Sequence, residues 1–125
     1  MERSFKTFSF EKLLVWQKSR MLAKEIYKIS SKFPKEEVFG ITSQMRRCCI
    51  SISSNLAEGS GRNSIKDKAR FTEIAFGSGL ELVNQLIIAY DLNYVTENEY
   101  LEIRAKIQEV TFLLDALHKA QLKKE

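Results

Sequence analysis

Between residues 41 and 62 two stripes run side by side at helical spacing. Ile41, Met45, Cys48, Ile52 and Leu56 recur every three or four residues, and so do Gln44, Arg47, Ser51, Asn55, Glu58 and Arg62. A strand alternates every second residue, whereas a helix turns about 100° per residue, so this spacing requires an α-helix with one apolar and one polar face. The remaining arc holds Thr42, Ser43, Arg46, Ile50, Ser53, Ser54 and Ala57. From Ser43 to Ala57 the only charges are two arginines, in a chain that is 29% charged. An ordinary surface helix keeps a charged face for water. Its absence predicts a helix covered on more than one side, by a core and by a partner.

The same periodicity divides the rest of the chain into helices. A first helix is expected from about Phe10 to Lys32, capped by Ser9, with Val15, Leu22, Ile26, Ile29 and Phe33 inward and Pro34 as its stop. The second spans about Gly40 to Glu58, ended by Gly59, Ser60 and Gly61. Ser64 with Asp67 three residues on caps a third, whose inward stripe is Phe71, Ala75, Leu82, Leu86 and Ala89, as far as about Asn93. Thr96 and Glu99 form a capping box for a fourth, where Tyr100, Ile103, Ile107, Val110, Leu114 and Leu117 keep coiled-coil spacing. Residues 1–125 thus form one all-α domain, an up-down-up-down antiparallel four-helix bundle with flexible ends at about 1–8 and 122–125. One proline and five glycines leave little for a turn-rich β fold. Gly77 and Gly79 inside the third helix each cost about 1 kcal/mol relative to alanine, which close backbone approach near Arg47 and Ser51 would offset. Ser78, Glu81 and Gln85 then face the first polar stripe, with Arg47 to Glu81 as the expected ion pair.

A net charge of +4 favours anionic partners, and the excess is uneven. Glu11 to Phe33 holds six basic and two acidic residues, against five and six from Tyr94 to Glu125. Arg20, Lys24, Lys28 and Lys32 recur every four residues opposite the apolar stripe, a ladder able to follow a phosphate backbone or simply to be solvated. Trp16 and Tyr27 read as packing residues, and no exposed aromatic for base stacking is identifiable. The segment from Gly59 to Ser64, followed by Lys66, Lys68 and Arg70, has the ingredients of an anion nest but lacks P-loop spacing, so it reads as a turn. The polar residues Gln44, Arg47, Ser51, Asn55, Glu58, Arg62, Ser78, Glu81 and Gln85 can satisfy one another, which makes an interface network the expectation over a catalytic groove.

Catalytic chemistry is poorly supplied. Asp115 and His118 have the spacing of half a di-iron motif, but His118 is the sole histidine, and no serine or cysteine has an evident base. Neither enzyme activity, nor a metal site, nor a cofactor is expected. Adjacent helical cysteines, Cys48 and Cys49, diverge too widely for an easy mutual disulfide. With no apolar run near 20 residues and no basic-then-apolar leader, a cytoplasmic protein without membrane contact is expected.

A set of ordered positions adds a resemblance. Phe33-Pro34 with Glu37, then Gln44, Arg46-Arg47, Ser51-Ile52, Asn55-Leu56-Ala57-Glu58-Gly59 and Arg62, then Ala75, Gly77-Ser78, Glu81-Leu82 and Gln85-Leu86, resemble the four-helix-bundle proteins encoded in intervening sequences of bacterial large-subunit ribosomal RNA genes. Leu13 to Trp16 and Tyr27 fit the opening helix, so the likeness covers about Phe10 to Tyr94. Cys48-Cys49 stand where the family has a small pair, often alanine, and Gly79 where it more often has a larger residue. The resemblance implies a homopentameric ring, and likeness in fold to the accessory variability determinant of diversity-generating retroelements, which binds nucleic acid and a reverse transcriptase. Two functions from different classes follow as expectations: a homo-oligomeric module binding structured or ribosomal RNA through Arg20, Lys24, Lys28 and Lys32, or an adaptor for a polymerase-type protein.

Overall fold

The computed structural model describes residues 4–124 and contains four α-helices, with no strand among those residues. They are α1 (Leu14–Ser30), α2 (Ile41–Ser60), α3 (Ile65–Asp91) and α4 (Glu97–Leu122), with short 3-10 helices at Ser9–Lys12 and Lys35–Glu37. Of the two ends expected to be flexible, residues 1–3 and 125 lie outside the described residues; Ser4 to Phe8 carry no regular element and Leu122 closes α4.

Side-chain pairs give the topology. Along α2 and α3, Ser60 meets Lys68, Gly59 meets Phe71 and Ser51 meets Ser78, so the two run antiparallel. Along α1 and α4 the pairs are Lys18 with Glu109, Glu25 with Lys106 and Lys32 with Glu99, again antiparallel. Tyr90 stacks on Tyr100 while Gly79 lies against Thr111, which orients α3 against α4 in the same sense. These three relations force α1 and α2 to be antiparallel as well. Each helix packs on its two neighbours around the ring, and the backbones of the diagonal pairs stay apart across the core.

The core is built from the inward stripes, except that Phe71 lies outside it, half-buried against Gly59 and Arg62 at the α2–α3 joint. Leu22, Ile26, Met45, Ile52, Leu82, Leu86, Ile107 and Leu114 are almost completely buried, one layer after another down the axis. Burying each such side chain contributes about 1.5–3 kcal/mol, which sets the helix rotations. Two of the three anticipated N-caps form: Ser64 Oγ accepts the Asp67 N–H, and Thr96 and Glu99 satisfy each other's backbone.

Three boundaries differ from expectation. The first helix begins at Leu14, not Phe10, and ends at Ser30, not Lys32. Ser9 does not cap it; instead Leu13 is extended (ψ 126°), while the Glu11 carboxylate accepts the Phe8 N–H and closes a separate 3-10 turn. The Phe10 ring, 5.0 Å from Trp16 and at 73° to it, folds this turn back onto α1. At the other end of α2, no glycine adopts a positive φ; α2 runs through Gly59 to Ser60, and Gly61 stays right-handed. The left-handed position is Asn93 (φ 63°), after α3.

Candidate functional site

The polar stripes of α2 and α3 meet at a groove of about 560 Å³ lined by Gln44, Arg47, Cys48, Ser51, Ser78 and Glu81. Its centre is a true network. Ser51 and Ser78 hydroxyls lie 2.9 Å apart, and the Asn55 amide donates to both the carbonyl (2.8 Å) and the hydroxyl (3.0 Å) of Ser51. At its ends the links are local to one helix, Arg62 with Glu58 at 2.6 Å and Gln85 to Glu81 at 3.4 Å. The predicted Arg47 to Glu81 pair does not form: both side chains line the groove, both are exposed, and no ion pair joins them. Antiparallel register placed them at one height but could not set the direction in which each long side chain turns.

The two arginines of α2 have different fates. Arg46 reaches across to α1, donating to Ser30 Oγ (2.8 Å) and the Tyr27 carbonyl (3.3 Å), with its guanidinium 4.7 Å from the Tyr27 ring centre. It satisfies the end of a neighbouring helix. Arg47 stays at the groove, opposite a carboxylate it does not touch.

Burial holds the thiols neutral. Desolvation, with Glu81 adding repulsion, pushes Cys48 up to about 12, and desolvation pushes Cys49 up to about 11. Neither is a thiolate at neutral pH, so neither is poised as a nucleophile. Both cysteines are free. At the floor of this seam Gln85, 5% exposed, leaves its Oε1 without a partner.

The glycines do not act as the sequence suggested. Gly77 has open space where a side chain would stand. Gly79 faces α4 rather than α2, and a Cβ there would lie 2.6 Å from Thr111 Cγ2. Close approach between α2 and α3 depends on Gly59, whose Cβ would come within 2.8 Å of Phe71 Cβ.

The basic ladder is broken up by tertiary contacts. Lys32 lies beyond the end of α1 and pairs with Glu99 of α4. Arg20 lies 5.6 Å from the Trp16 ring centre. Lys24 and Lys28 are exposed and form no ion pair among the described residues. Glu25, between them, is held below the ordinary carboxylate range, mainly by its hydrogen bond from Lys106 (2.7 Å). Around the α2–α3 turn, Lys68 Nζ donates to the Ser60 carbonyl and the Arg62 guanidinium lies over Phe71, so the turn is a packed joint. Asp115 pairs with Lys119 at 3.0 Å, and among the described residues no group of three or more His, Cys, Asp or Glu side chains is placed to hold a metal ion.

Sequence reasoning missed the exposed aromatics. Phe5 and Phe8 are 76% and 54% exposed beside Lys6. The signal was Phe5 and Phe8 on either side of Lys6, within the end expected to be flexible, with Phe10 just beyond it.

Comparison with known proteins bears on the whole bundle. Residues 11–116 match the model of the family described as 23S rRNA-intervening sequence protein. A solved structure of a protein with unknown function from the S23 ribosomal protein family of Bacteroides thetaiotaomicron is similar at a TM-score of 0.79 and 25% identity, over 85% of this chain and 96% of that one. No curated protein matches this chain.

Proposed function

Since the chain belongs to the 23S rRNA-intervening sequence protein family, we propose that it is a non-enzymatic, self-assembling module of the cytoplasm that binds structured or ribosomal RNA, five copies closing into a ring. The observation that carries this reading is the division of the surface by charge. Residues 43–57 of α2 hold only Arg46 and Arg47, and residues 74–90 of α3 only Glu81. Ile50, Ile74, Leu80 and Ile88 are each more than 40% exposed on these two helices, where a monomer would place charge. That face suits contact with further copies, and cyclic assembly uses two different patches per copy. Free lysines on α1, at Lys24 and Lys28, suit phosphates.

Sedimentation equilibrium at micromolar protein is expected to give about five times 14.5 kDa; a monomer rejects the assembly. With Lys32 engaged by Glu99, about three contacts per subunit remain, so the log K against log salt slope for single-stranded RNA should be about −2 per engaged subunit. Replacing Lys24 and Lys28 by Glu should weaken binding to every RNA and leave helicity and mass unchanged.

A second reading, an adaptor for a polymerase-type protein, draws on α4. Leu101 and Phe112 are 57% and 71% exposed on its outward face, with Ala105 and Ala116 beside them at helical spacing. Binding that withstands high salt and is lost in Phe112→Asp would favour it.

A further inference from the structure

A continuous strip of rings and cations runs from the start of the described chain onto α1. Lys6 Nζ lies 5.6 Å from the Phe8 ring centre, Phe8 stacks on Phe10 at 6.1 Å and 14°, Phe10 meets the edge of Trp16 at 5.0 Å, and Arg20 lies 5.6 Å from Trp16. Lys24 follows one four-residue step along the helix, about 6 Å further on. The two acids of residues 4–33 are both engaged, Glu11 with the Phe8 N–H and Glu25 with Lys106. The strip therefore presents cations and π-faces, with the Glu11 carboxylate tied back to the Phe8 N–H of its own turn.

Phe5 and Phe8, more than half exposed, have no core to fill. Aromatic faces alternating with cations are what unpaired bases and their phosphates recognise, because every base has a π-face to stack and a duplex hides its faces. Resting on the RNA reading above, we infer that this strip is a track for a single-stranded RNA segment, whose bases stack on Phe5 and Phe8 and whose phosphates lie along Lys6, Arg20 and Lys24. An unpaired stretch is thereby the feature selected within a structured RNA. Recognition is tolerant of sequence, since neither stacking nor phosphate contact reads base edges.

Trp16 is the sole tryptophan and reports on the strip directly. The full-length protein is titrated with a 12-nucleotide oligouridylate and with an RNA duplex of that length, following Trp16 emission and fluorescence anisotropy. Expected results are quenching by the single strand, preference over the duplex, and a loss of about tenfold or more in Phe5→Ala/Phe8→Ala. Phe5→Tyr/Phe8→Tyr, which keeps both rings, should bind as the wild type does, and circular dichroism of each variant excludes a folding loss. If Lys24→Glu/Lys28→Glu weakens binding while the alanine pair does not, or the duplex binds equally well, the stacking track is overturned and the RNA reading stands. Binding of no RNA overturns both. Capture instead by phosphatidylserine vesicles, dependent on Phe5 and Phe8, overturns both in favour of a membrane surface.

Discussion

The seam between α2 and α3 and the seam between α1 and α4 are built from opposite materials. Cys48, Ser51 and Gly59 of α2 meet Gln85, Ser78 and Phe71 of α3, and these two helices make the most extensive backbone contact of any pair. Along the outside of α1 and α4, long side chains close the gap through three ion pairs, Lys18 with Glu109, Glu25 with Lys106, and Lys32 with Glu99. Small hydroxyl-bearing residues let backbones approach and leave a nearly uncharged exterior. Lysine and glutamate hold their helices apart and keep a hydrated one. The first seam is thus suited to cover by another molecule and the second to water, although both enclose the same core.

The largest test of that contrast is steric. Alanine at Gly59 would put a Cβ 2.8 Å from Phe71 Cβ, an atom tied to the α3 backbone, so Gly59→Ala should destabilise by about 1–3 kcal/mol in urea unfolding. Gly77→Ala, on the open side of α3, should stabilise by up to about 1 kcal/mol through helix propensity alone. Equal effects at the two glycines would show that the α2–α3 seam is not closely packed.

The ion-paired seam is tested by pH. Hydrogen bonds from Lys106 and Lys32 hold Glu25 and Glu99 below the ordinary carboxylate range. A folded pKa below the unfolded one means that the stabilisation is present above about pH 4.3 and is lost as pH falls through the folded value. Lys106 is raised, mainly by Glu25, so its share is present below about pH 10.4 and lost as pH rises through its folded value. These side chains are a quarter to three fifths exposed, which limits each pair to at most about 1 kcal/mol. Urea midpoints from pH 3 to 7 should show the acid loss, and Glu25→Gln with Glu99→Gln should abolish that part of it; an unchanged profile would mean the pairs contribute nothing.

The smallest effect is expected at the groove. Arg47 and Glu81 make no ion pair, so a double-mutant cycle with Arg47→Ala and Glu81→Gln should give a coupling of about 0.5 kcal/mol or less. A coupling near 3 kcal/mol would mean that the two close on each other in solution and that the seam carries a buried pair.

Much of the fold was legible because it is local. Ser64 with Asp67 and Thr96 with Glu99 cap α3 and α4 as their spacing required, since a cap is made by residues only three positions apart. Most of the inward stripes are the buried residues of the core, because periodicity determines which face is apolar, but Ile41, Tyr100 and Leu117 are only partly buried and Phe71 lies outside the core beneath Arg62. The start of α1 was less legible: Ser9 has the right chemistry for a cap, but Phe10 gains more by packing on Trp16, and the chain turns extended at Leu13 to allow it.

Of the candidate site, the stripe itself was readable and its partners were not. Ser51, Asn55 and Ser78 meet as a network, whereas Arg47 misses Glu81, Gly79 turns to Thr111, and Lys32 leaves the ladder for Glu99. Sequence by itself determined four amphipathic helices, the N-caps of α3 and α4, the order of the helices and the antiparallel sense that short joints impose. Tertiary structure decided which polar groups touch, which charges stay free and which rings join into a strip. The physical reason is angular: spacing fixes a residue's height and face on its own helix, but contact between helices depends on how far each is rotated about its axis, where one residue is worth about 100°. That rotation is set by the packing of the whole core, with Ile26, Met45, Ile52, Leu82 and Ile107 seated together.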